Sequence, residues 1–562
     1  MIKNILIFIF LNSIHLLADT TIVALSSVHH SFGNSGNNRV INDLIQFPQS
    51  NAEYSEITMS INLQCPNGGC DPWDRKAQIS VEHLNNWFEI GRYVTPYGVE
   101  CGWSFDVTDY RSILEGTVNL RSYIDTWVEP GWLVTINFEF ISGIPESPYV
   151  NVRKVWNYSN LIYGDDTNPI NIPTFNGYIP SDVNNASLRM ITTGHGQGNT
   201  GNAAEFSYKL HDIHVNGDPV FVHDFWRPDC ENNTCSPQNG SWVYDRAGFC
   251  PGDKVFPQDF NILDYSSTGQ EIQLDYVLQD YYNACSPNNP ACVDGATCPE
   301  CNYNYNGHTE PFYFIESQLI LHTNNPHSNA DVTFRVISQD TINNTLGIYL
   351  ANYVPVYGFQ FNLVSDNQEA EYIAGLTFNN GNGGRADTEG WTVTTNDSNL
   401  VIGLSQYTGS PIPPGEGLLT YINYSDENFP QISGAVTISN LQVSGYFGSV
   451  LTHSVGLPFN FEFGLNIEDS NVIPTSHSLL PSYPNPFNPV LHIPFKLYKN
   501  EITKLSIYDV NGKEVFIIID NENKDKGSHL ISWDASRFAS GLYFVSINAG
   551  SFMESKKIIL IK

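Results

Sequence analysis

Basic residues are scarce in this 562-residue chain, which has 26 lysines and arginines against 58 aspartates and glutamates. The formal net charge at pH 7 is therefore -32. Binding to nucleic acid or to an anionic membrane surface depends on clustered cations, so this composition argues against both partners. An acidic balance of this kind is typical of a protein that stays in solution outside a cell.

Long apolar runs are missing beyond the N-terminus, and no later stretch is apolar enough to predict a transmembrane anchor. At the N-terminus, Lys3 precedes an apolar run from Ile5 to Leu17, and Ala18 follows as a small residue at a plausible cleavage point. This order predicts a secretory signal peptide over residues 1–18 and an exported mature protein.

Cysteine is absent after Cys301, although the chain has 10 cysteines and seven of them fall between Cys230 and Cys301. This division predicts that the cysteine-bearing and cysteine-free halves are different domains. The pattern Cys298-Pro-Glu-Cys301 is compatible with zinc binding. In an exported chain with an even number of cysteines, however, disulfides are the better prediction.

Helical periodicity is also missing outside the signal segment. Apolar and polar residues instead alternate with period two, which predicts strands with one buried face. The clearest examples are residues 56–65, 131–140, 272–278 and 312–321. Together with dense Asn-Gly and Pro-Asn turn signals, these segments predict an all-β chain of sandwiches or jelly rolls.

Loops at 144–152 and 322–331 and a polar linker at 468–478 divide the chain. The expected order is two adjacent jelly-roll β-sandwiches, a further β-sandwich of unassigned role and a C-terminal Ig-like domain. The predicted domains cover residues 19–150, 151–326, 327–467 and 478–562.

The last segment contains Tyr483-Pro-Asn-Pro-Phe487-Asn-Pro, then IYDVNGKEV at 507–515, SGLYFV at 540–545 and a lysine-containing apolar terminus. In this order, the pieces resemble the C-terminal sorting domain of the type IX secretion system. The resemblance implies a Gram-negative bacterial protein that uses the type IX machinery as a partner and is secreted or located at the cell surface.

A short turn between Cys65 and Cys70 comes directly before Trp73, Asp74 and Arg75. The two cysteines lie at the end of a predicted strand, close enough for a bridge across the turn. Such a bridge would fix a loop that presents an aromatic ring, an acid and a base. On this stretch alone, a structural bridge beside solvated charges is the simpler interpretation.

Longer blocks of sequence favour a functional site over a purely structural bridge, because they resemble the peptide-N-glycosidase F family in order and spacing. They are residues 65–81, 87–99, 105–110, 123–127, 203–217, 236–252 and 310–321. The resemblance implies two eight-stranded jelly-roll-like sandwiches with a site in the cleft between them. It also implies hydrolysis of the amide between N-acetylglucosamine and an asparagine side chain of an N-glycoprotein or N-glycopeptide. No metal or other cofactor is implied.

The same resemblance implies the roles of particular residues. Asp74 matches the principal catalytic aspartate, and Glu205 matches a second essential acid from the second sandwich. Asp125 is the third implied catalytic residue. It matches a position where the family has a glutamate, so the carboxylate is kept on an arm that is one methylene shorter. The implied substrate contacts are Trp73, Arg75, Trp127, Arg246 and Phe249.

Cys230 and Cys250 match a family disulfide, in addition to the bridge predicted between Cys65 and Cys70. The pairing of the other cysteines stays open at this point. They are Cys101, Cys235, Cys285, Cys292, Cys298 and Cys301.

A non-catalytic glycan-binding protein is the first alternative. The shorter arm of Asp125 favours it, whereas the retention of both Asp74 and Glu205 counts against it. In either case we expect a monomer.

A copper site is the second alternative, since the paired sandwiches are similar in fold to peptidylglycine hydroxylating monooxygenases and imidazoles bind copper. His211, His214 and His223 are close together in the sequence. However, His211 and His214 are an odd number of positions apart, so a strand directs their rings to opposite faces. Ordinary surface or core histidines are therefore the better prediction.

Overall fold

The computed structural model describes residues 19–34, 36–49, 53–289, 291–292, 301, 310–341, 343–365, 377–396, 399–405, 409–425, 433–462, 477–480, 482, 485, 487–510, 512–550 and 552–561. The predicted signal peptide, Cys298 and most of the predicted linker lie outside the described residues. The chain divides into two compact units, Met1–Phe463 and Gly464–Lys562.

The first domain is a pair of antiparallel sheets in which buried and solvent-facing side chains alternate. One sheet has the order β1-β10-β5-β8, the other contains β7-β6-β9-β4, and β2 pairs with β3. The elements are β1 Thr20–His30, β2 Phe32–Gly33, β3 Gly36–Asn37, β4 Val40–Gln46, β5 Tyr54–Gln64, β6 Lys76–His83, β7 Asn86–Val94, β8 Cys101–Asp106, a 3₁₀ helix Thr108–Ile113, β9 Thr117–Ile124 and β10 Trp132–Ser142.

The second domain also contains two four-stranded sheets, with the orders β11-β21-β13-β19 and β12-β20-β14-β15. The elements are β11 Tyr149–Ile162, β12 Phe175–Ile179, β13 Val183–His195, β14 His211–Val215, β15 Asp218–His223, β16 Trp226–Arg227, β17 Arg246–Ala247, β18 Asp253–Lys254, β19 Gln258–Asn261, β20 Gln270–Val277 and β21 Phe312–Thr323, with 3₁₀ helices at Thr200–Asn202, Cys230–Asn232 and Ile262–Asp264. Strand β18 pairs with β7 and so extends a sheet of the first domain.

The next domain is hydrogen-bonded as one sheet of ten strands, in the order β30-β22-β23-β28-β25-β26-β27-β24-β29-β31. Its core includes Phe334, Phe361 and Ile422, all 0% exposed. The elements are β22 Val332–Asp340, β23 Thr345–Asn352, β24 Gly358–Ser365, β25 Thr377–Asn382, α1 Gly384–Thr388, β26 Trp391–Thr395, β27 Leu400–Ser405, β28 Gly415–Ser425, β29 Ser433–Ser444, a 3₁₀ helix Tyr446–Gly448, β30 His453–Val455 and β31 Phe459–Glu462.

The C-terminal unit has two antiparallel sheets, β32-β33-β36 and β35-β34-β37-β38. Its own core includes Trp533, Val545 and Ile507. The strands are β32 Ser478–Leu479, β33 Val490–Leu497, β34 Glu501–Asp509, β35 Glu514–Lys524, β36 Gly527–Asp534, β37 Gly541–Ala549 and β38 Phe552–Leu560.

The prediction of an all-β chain is confirmed, since α1 is the single α-helix among the described residues. The segments predicted from period-two patterns are strands β5, β10, β20 and β21. In β5, the residues Ile57, Met59, Ile61 and Leu63 are at most 2% exposed, as the alternation requires. Within the described ranges, no helix is long and apolar enough to cross a membrane.

Both predicted disulfides form, Cys65–Cys70 and Cys230–Cys250. Two further bridges, Cys101–Cys235 and Cys285–Cys301, come from cysteines that the sequence left unpaired. The bond from Cys301 to Cys285 argues against the zinc alternative for the Cys298-Pro-Glu-Cys301 pattern. The Cys101–Cys235 bridge joins the first domain to the second covalently.

Buried polar side chains also join the first two domains. Arg92 is 1% exposed and forms a 2.6 Å ion pair with Glu89 on the same strand. Its guanidinium also donates to the carbonyl oxygen of Phe314 in the second domain at 2.7 Å. Gln318 donates to the carbonyl oxygen of Glu89 at 2.9 Å. These contacts are directional, so they fix how the two sandwiches meet.

We expect Phe138→Ala to lower the free energy of unfolding of the first domain by about 3–5 kcal/mol, because the substitution leaves a cavity in a packed core. The Phe138 side chain is 0% exposed and packs edge-on against Phe47 at a ring-centroid distance of 5.0 Å. Chemical denaturation followed by circular dichroism would measure the change. The control is Leu44→Ala, at a side chain that is 69% exposed. Equal losses for the two variants would contradict this description of the core.

Candidate active site

Asp71 organises the loop that follows the Cys65–Cys70 bridge. Its carboxylate is fully buried and accepts hydrogen bonds from the Trp73 amide at 3.0 Å, Arg75 Nε at 2.7 Å and the Thr126 hydroxyl at 2.7 Å. Backbone groups of Asp71 also bond to Gly131 and Gly98. One carboxylate therefore fixes both ends of the Trp73–Arg75 segment and ties it to the residues after β9.

The same segment is bonded to the end of β7. The Arg75 amide donates to the Thr95 hydroxyl at 2.9 Å, and the Thr95 amide donates to the Arg75 carbonyl oxygen at 2.9 Å. Asp74 lies between these anchored residues and keeps a partly exposed side chain. The loop is consequently a rigid support that holds Asp74 next to Tyr97 and Arg246.

Glu205 comes from the second domain, and the charge of Asp74 acts on it. Its side chain is almost completely buried and accepts a hydrogen bond from Arg246 Nε at 3.0 Å. The other carboxyl oxygen accepts the Gly196 amide at 3.3 Å, and the Ala247 amide donates to the Glu205 carbonyl oxygen at 2.9 Å. The β17 strand that carries Arg246 thus lies directly against Glu205.

Arg246 is 0% exposed, and its remaining nitrogens are bonded to one short loop. Nη1 donates to the Tyr244 carbonyl oxygen at 2.8 Å, while Nη2 donates to the Ser241 carbonyl oxygen at 2.9 Å and to the Ser241 hydroxyl at 3.2 Å. The guanidinium is therefore held in one orientation, with its Nε directed at Glu205.

A continuous polar network links the two acids across the domain boundary. The Tyr97 hydroxyl interacts with the Asp74 carboxylate by hydrogen bonding and lies 3.2 Å from the Ser241 hydroxyl. Ser241 in turn accepts from Arg246, which donates to Glu205. Gly240 allows this arrangement, because a Cβ at that position would come within 2.3 Å of the Tyr97 ring.

Burial raises the pKa of both acids. The pKa of Glu205 rises to about 7, because burial and the nearby charge of Asp74 outweigh the stabilising effect of Arg246 and the Gly196 amide. The pKa of Asp74 is also raised by burial, against the opposing effects of Arg246 and Tyr97. Because the charge of Asp74 acts on Glu205, the two carboxyl groups lie within electrostatic range of each other and share the protonation equilibria of the site.

Asp125 lies directly after the end of β9, next to the loop that carries Asp74. Its carboxylate is 3.5 Å from Arg39 Nη1 and interacts with the Tyr123 hydroxyl by hydrogen bonding. The Arg39 guanidinium also stacks on the Trp127 ring at 4.1 Å, and Phe32 meets that ring edge-on at 5.1 Å. The carboxylate is thus held beside an exposed aromatic surface.

The structure brings together Asp74, Glu205 and Arg246. Trp73 and Trp127 are 59% and 52% exposed, so both rings are accessible to a ligand. Phe249 is different, since it is 1% exposed and stacks on His195 at 5.1 Å. Arg246 is buried as well, so both side chains support the site from behind instead of lining an open surface.

Four residues near the predicted acids were not predicted to be part of the site: Asp71, Tyr97, Ser241 and Arg39. Tyr97 and Ser241 lie within the 87–99 and 236–252 blocks, but nothing in a linear sequence indicates that their hydroxyl groups meet. Asp71 directly follows a bridged cysteine, and an acid in such a turn is a common acceptor for backbone amides.

Two of the three histidines on which the copper alternative depends lie in the core of the second domain. His211 and His223 are 0% exposed and face each other across β14 and β15. Burial lowers the pKa of each imidazole to about 3. His214 lies on the opposite, half-exposed side of β14, as its odd spacing predicted. Across the described ranges, no group of three or more potential metal ligands is close enough to hold an ion.

Family models match three parts of the chain. The N-terminal domain of peptide-N-glycosidase F matches residues 78–140, and its C-terminal domain matches residues 163–296. A secretion-system C-terminal sorting domain matches residues 482–562.

Individual relatives match the first half of the chain. The peptide-N(4)-(N-acetyl-beta-D-glucosaminyl)asparagine amidase F of Elizabethkingia miricola is 30% identical over 343 residues, which is 58% of this chain and 90% of the relative. A crystal structure of an enzyme with that amidase name covers 55% of this chain and 98% of its own, with 28% identity and a TM-score of 0.48. The structure of PNGase F from Flavobacterium meningosepticum covers 55% of this chain and 97% of its own, with 28% identity and a TM-score of 0.48.

The fold and the site define an all-β protein with a paired-carboxyl site between two domains and a sorting domain at its C-terminus. The chain belongs to the peptide-N-glycosidase F family. Its sorting domain indicates export by the type IX machinery and a location outside the cell or on the surface of a Gram-negative bacterium.

We expect the Glu205 carboxyl to titrate near pH 7, as measured by carbon NMR of glutamate-labelled protein. Its folded pKa is about 7 and its ordinary value is 4.5. Between these values the folded chain keeps a proton that the unfolded chain has lost, so stability falls as pH rises through this window. Glu205→Gln should remove both the near-neutral titration and this part of the slope. A near-neutral signal that persists in Glu205→Gln would contradict the assignment.

We expect Asp71→Asn to destabilise the loop by about 3 kcal/mol, since it leaves the Arg75 charge without its buried partner. Hydrogen exchange of the backbone amides from residue 71 to 75 would measure the opening of the loop. Thr126→Val is a milder comparison variant, because it removes only the hydrogen bond from the Thr126 hydroxyl to Asp71. It should lower the stability of the loop by about 1 kcal/mol. Unchanged exchange in Asp71→Asn would show that Asp71 does not hold the loop.

Proposed function

We propose that this protein is a secreted amidase that hydrolyses the bond between N-acetylglucosamine and an asparagine side chain. The products are a glycosylamine, which loses ammonia, and a peptide with aspartate in place of asparagine. The observation that carries the proposal is the network from Asp74 through Tyr97, Ser241 and Arg246 to Glu205. Family membership supports the same reaction.

Two acids with different environments can divide the proton transfers of amide hydrolysis. Arg246 and Tyr97 stabilise the charge of Asp74 against the effect of burial, so Asp74 serves as the base that takes a proton from water. Glu205 has a pKa of about 7 and retains a proton in a large fraction of molecules at neutral pH. It serves as the store from which a proton reaches the leaving nitrogen.

In this scheme, the water oxygen adds to the side-chain carbonyl carbon of the substrate asparagine while Asp74 accepts the water proton. The tetrahedral adduct then collapses and the carbon–nitrogen bond breaks. The leaving nitrogen takes its proton from the Glu205 carboxyl group. Deprotonated Glu205 is stabilised by Arg246. After product release, Asp74 gives its proton to solvent and Glu205 takes one from solvent, because a guanidinium cannot accept and pass on a proton. The sum is one water consumed and one amide bond broken.

The exposed rings and charged groups around Asp74 suit a sugar next to a peptide. Trp73 and Trp127 present flat apolar faces, which pack against the apolar side of pyranose rings. Arg75 and Asp125 supply donors and acceptors for hydroxyl and acetamido groups. Because Asp125 is held by Arg39 and Tyr123, we assign it to positioning the substrate and not to the proton transfers.

The test is hydrolysis of a denatured N-glycopeptide in heavy-oxygen water, followed by mass spectrometry. We expect the former glycan site to become aspartate that carries the heavy label, because the new carboxyl oxygen comes from water. Asp74→Asn should lower the rate at least about 100-fold, since it removes the base. Asp43→Asn, at an exposed aspartate on β4, should react like the wild type.

An intact glycopeptide with the wild-type protein would contradict the amidase proposal for that glycan class. Binding of the glycopeptide without cleavage would then support the non-catalytic alternative. Labelled aspartate with Asp74→Asn at the wild-type rate would leave the reaction in place but remove Asp74 from it.

A further inference from the structure

A groove with a volume of about 340 Å³ lies beside the candidate active site. It forms where the outer side of the β7-β6-β9-β4 sheet meets strands β11 and β21. Its lining includes Gln78, Trp87, Arg121, Tyr123, Ser159 and Glu316. Its volume is in the range of pockets that bind small ligands.

Strand alternation explains why this side of the sheet is polar. Along β6, Ala77, Ile79 and Val81 are at most 1% exposed and face the core of the first domain. Their neighbours Lys76, Gln78 and Ser80 therefore face the second domain, where a continuous apolar contact would otherwise be expected. Polar side chains line this junction and leave a space between the two domains.

The lining combines a flat aromatic group with unused hydrogen-bonding capacity. The Arg121 guanidinium stacks on the Trp87 ring at 3.6 Å and forms a planar surface with it. Gln78 Oε1 is buried and has no hydrogen-bond partner in the part of the chain that the structure describes. A buried acceptor without a donor is costly, and a ligand hydroxyl group would satisfy it.

The groove is connected to the candidate active site through Tyr123. This residue lines the groove, while its hydroxyl interacts with the Asp125 carboxylate by hydrogen bonding. The Asp125 amide also donates to the carbonyl oxygen of Lys76, another lining residue, at 3.1 Å. Two lining residues of the groove are therefore in direct contact with Asp125.

The charges of the groove favour a neutral occupant. Lys154 lies 3.3 Å from the Glu316 carboxylate, and Glu89 is paired with Arg92. The lining as a whole has three cations, Lys76, Arg121 and Lys154, and two anions, Glu89 and Glu316, so neither sign of charge dominates.

We propose that this groove binds neutral pyranose units of the glycan that lie beyond the sugar attached to asparagine. The proposal rests on the proposed function for the identity of the ligand. The stacked Trp87–Arg121 surface receives the face of a sugar ring, and Gln78 accepts a hydrogen bond from a ring hydroxyl. The protein thereby selects substrates by the length of a neutral glycan.

The test measures binding without turnover, by isothermal titration calorimetry with two free sugars. The probes are a free neutral high-mannose oligosaccharide and the free disaccharide of N-acetylglucosamine. We expect the wild type to bind the oligosaccharide about tenfold more tightly than the disaccharide. Trp87→Ala should lose this difference, because it removes the stacking surface.

Ser159→Trp is a second variant that should fill the groove from an exposed position, so its folding does not depend on a core change. It should lower oligosaccharide affinity to that of the disaccharide. Asn160→Trp, at the next exposed residue of β11, is the matched control and should bind like the wild type.

Equal wild-type affinities for the two sugars, or binding of neither, would overturn the groove proposal. An equal loss in Ser159→Trp and Asn160→Trp would also overturn it, since the effect would not be specific to the groove. These outcomes are independent of hydrolysis, so failure of the amidase test and failure of the groove test are distinguishable.

Discussion

The buried ion pair between Arg246 and Glu205 is the interaction on which the rest of the site depends. Arg246 is 0% exposed, and its charge is compensated by one carboxylate and by carbonyl oxygens of a short loop. Removing either partner of such a pair leaves an uncompensated charge in a medium of low polarity. The loop that carries Ser241 and Tyr244 therefore has to keep its shape, and this shape also brings Ser241 to Tyr97.

The two sandwiches supply the rigidity that this pair requires. Strand β18 continues a sheet of the first domain, and the Cys101–Cys235 bridge joins the domains covalently. Arg92 crosses the same boundary through a hydrogen bond to the carbonyl oxygen of Phe314. A site divided between two domains works only when the domains hold a fixed distance, because small displacements of catalytic groups are costly. The junction contacts meet this condition without a hinge in the site itself.

Much of the fold could be predicted from the sequence, because a period of two is a local property. The alternation in 56–65 and 131–140 predicted β5 and β10, and the family resemblance implied the acids Asp74 and Glu205. The partner of Cys101 could not be predicted, since 134 positions separate it from Cys235. The burial of Phe249 was missed for a similar reason, because an aromatic residue in a loop gives no sign of what packs over it.

The sequence by itself determined the all-β class, the sorting domain and the Cys65–Cys70 bridge. These features depend on local pattern, residue type or short spacing. Only the tertiary structure decided that Asp71 holds the loop, that Tyr97 and Ser241 connect the acids, and that burial brings the pKa of Glu205 to about 7. Each of these depends on groups from distant parts of the chain meeting in a place with little water, and hydrogen bonding and desolvation act over distances in space and not along the sequence.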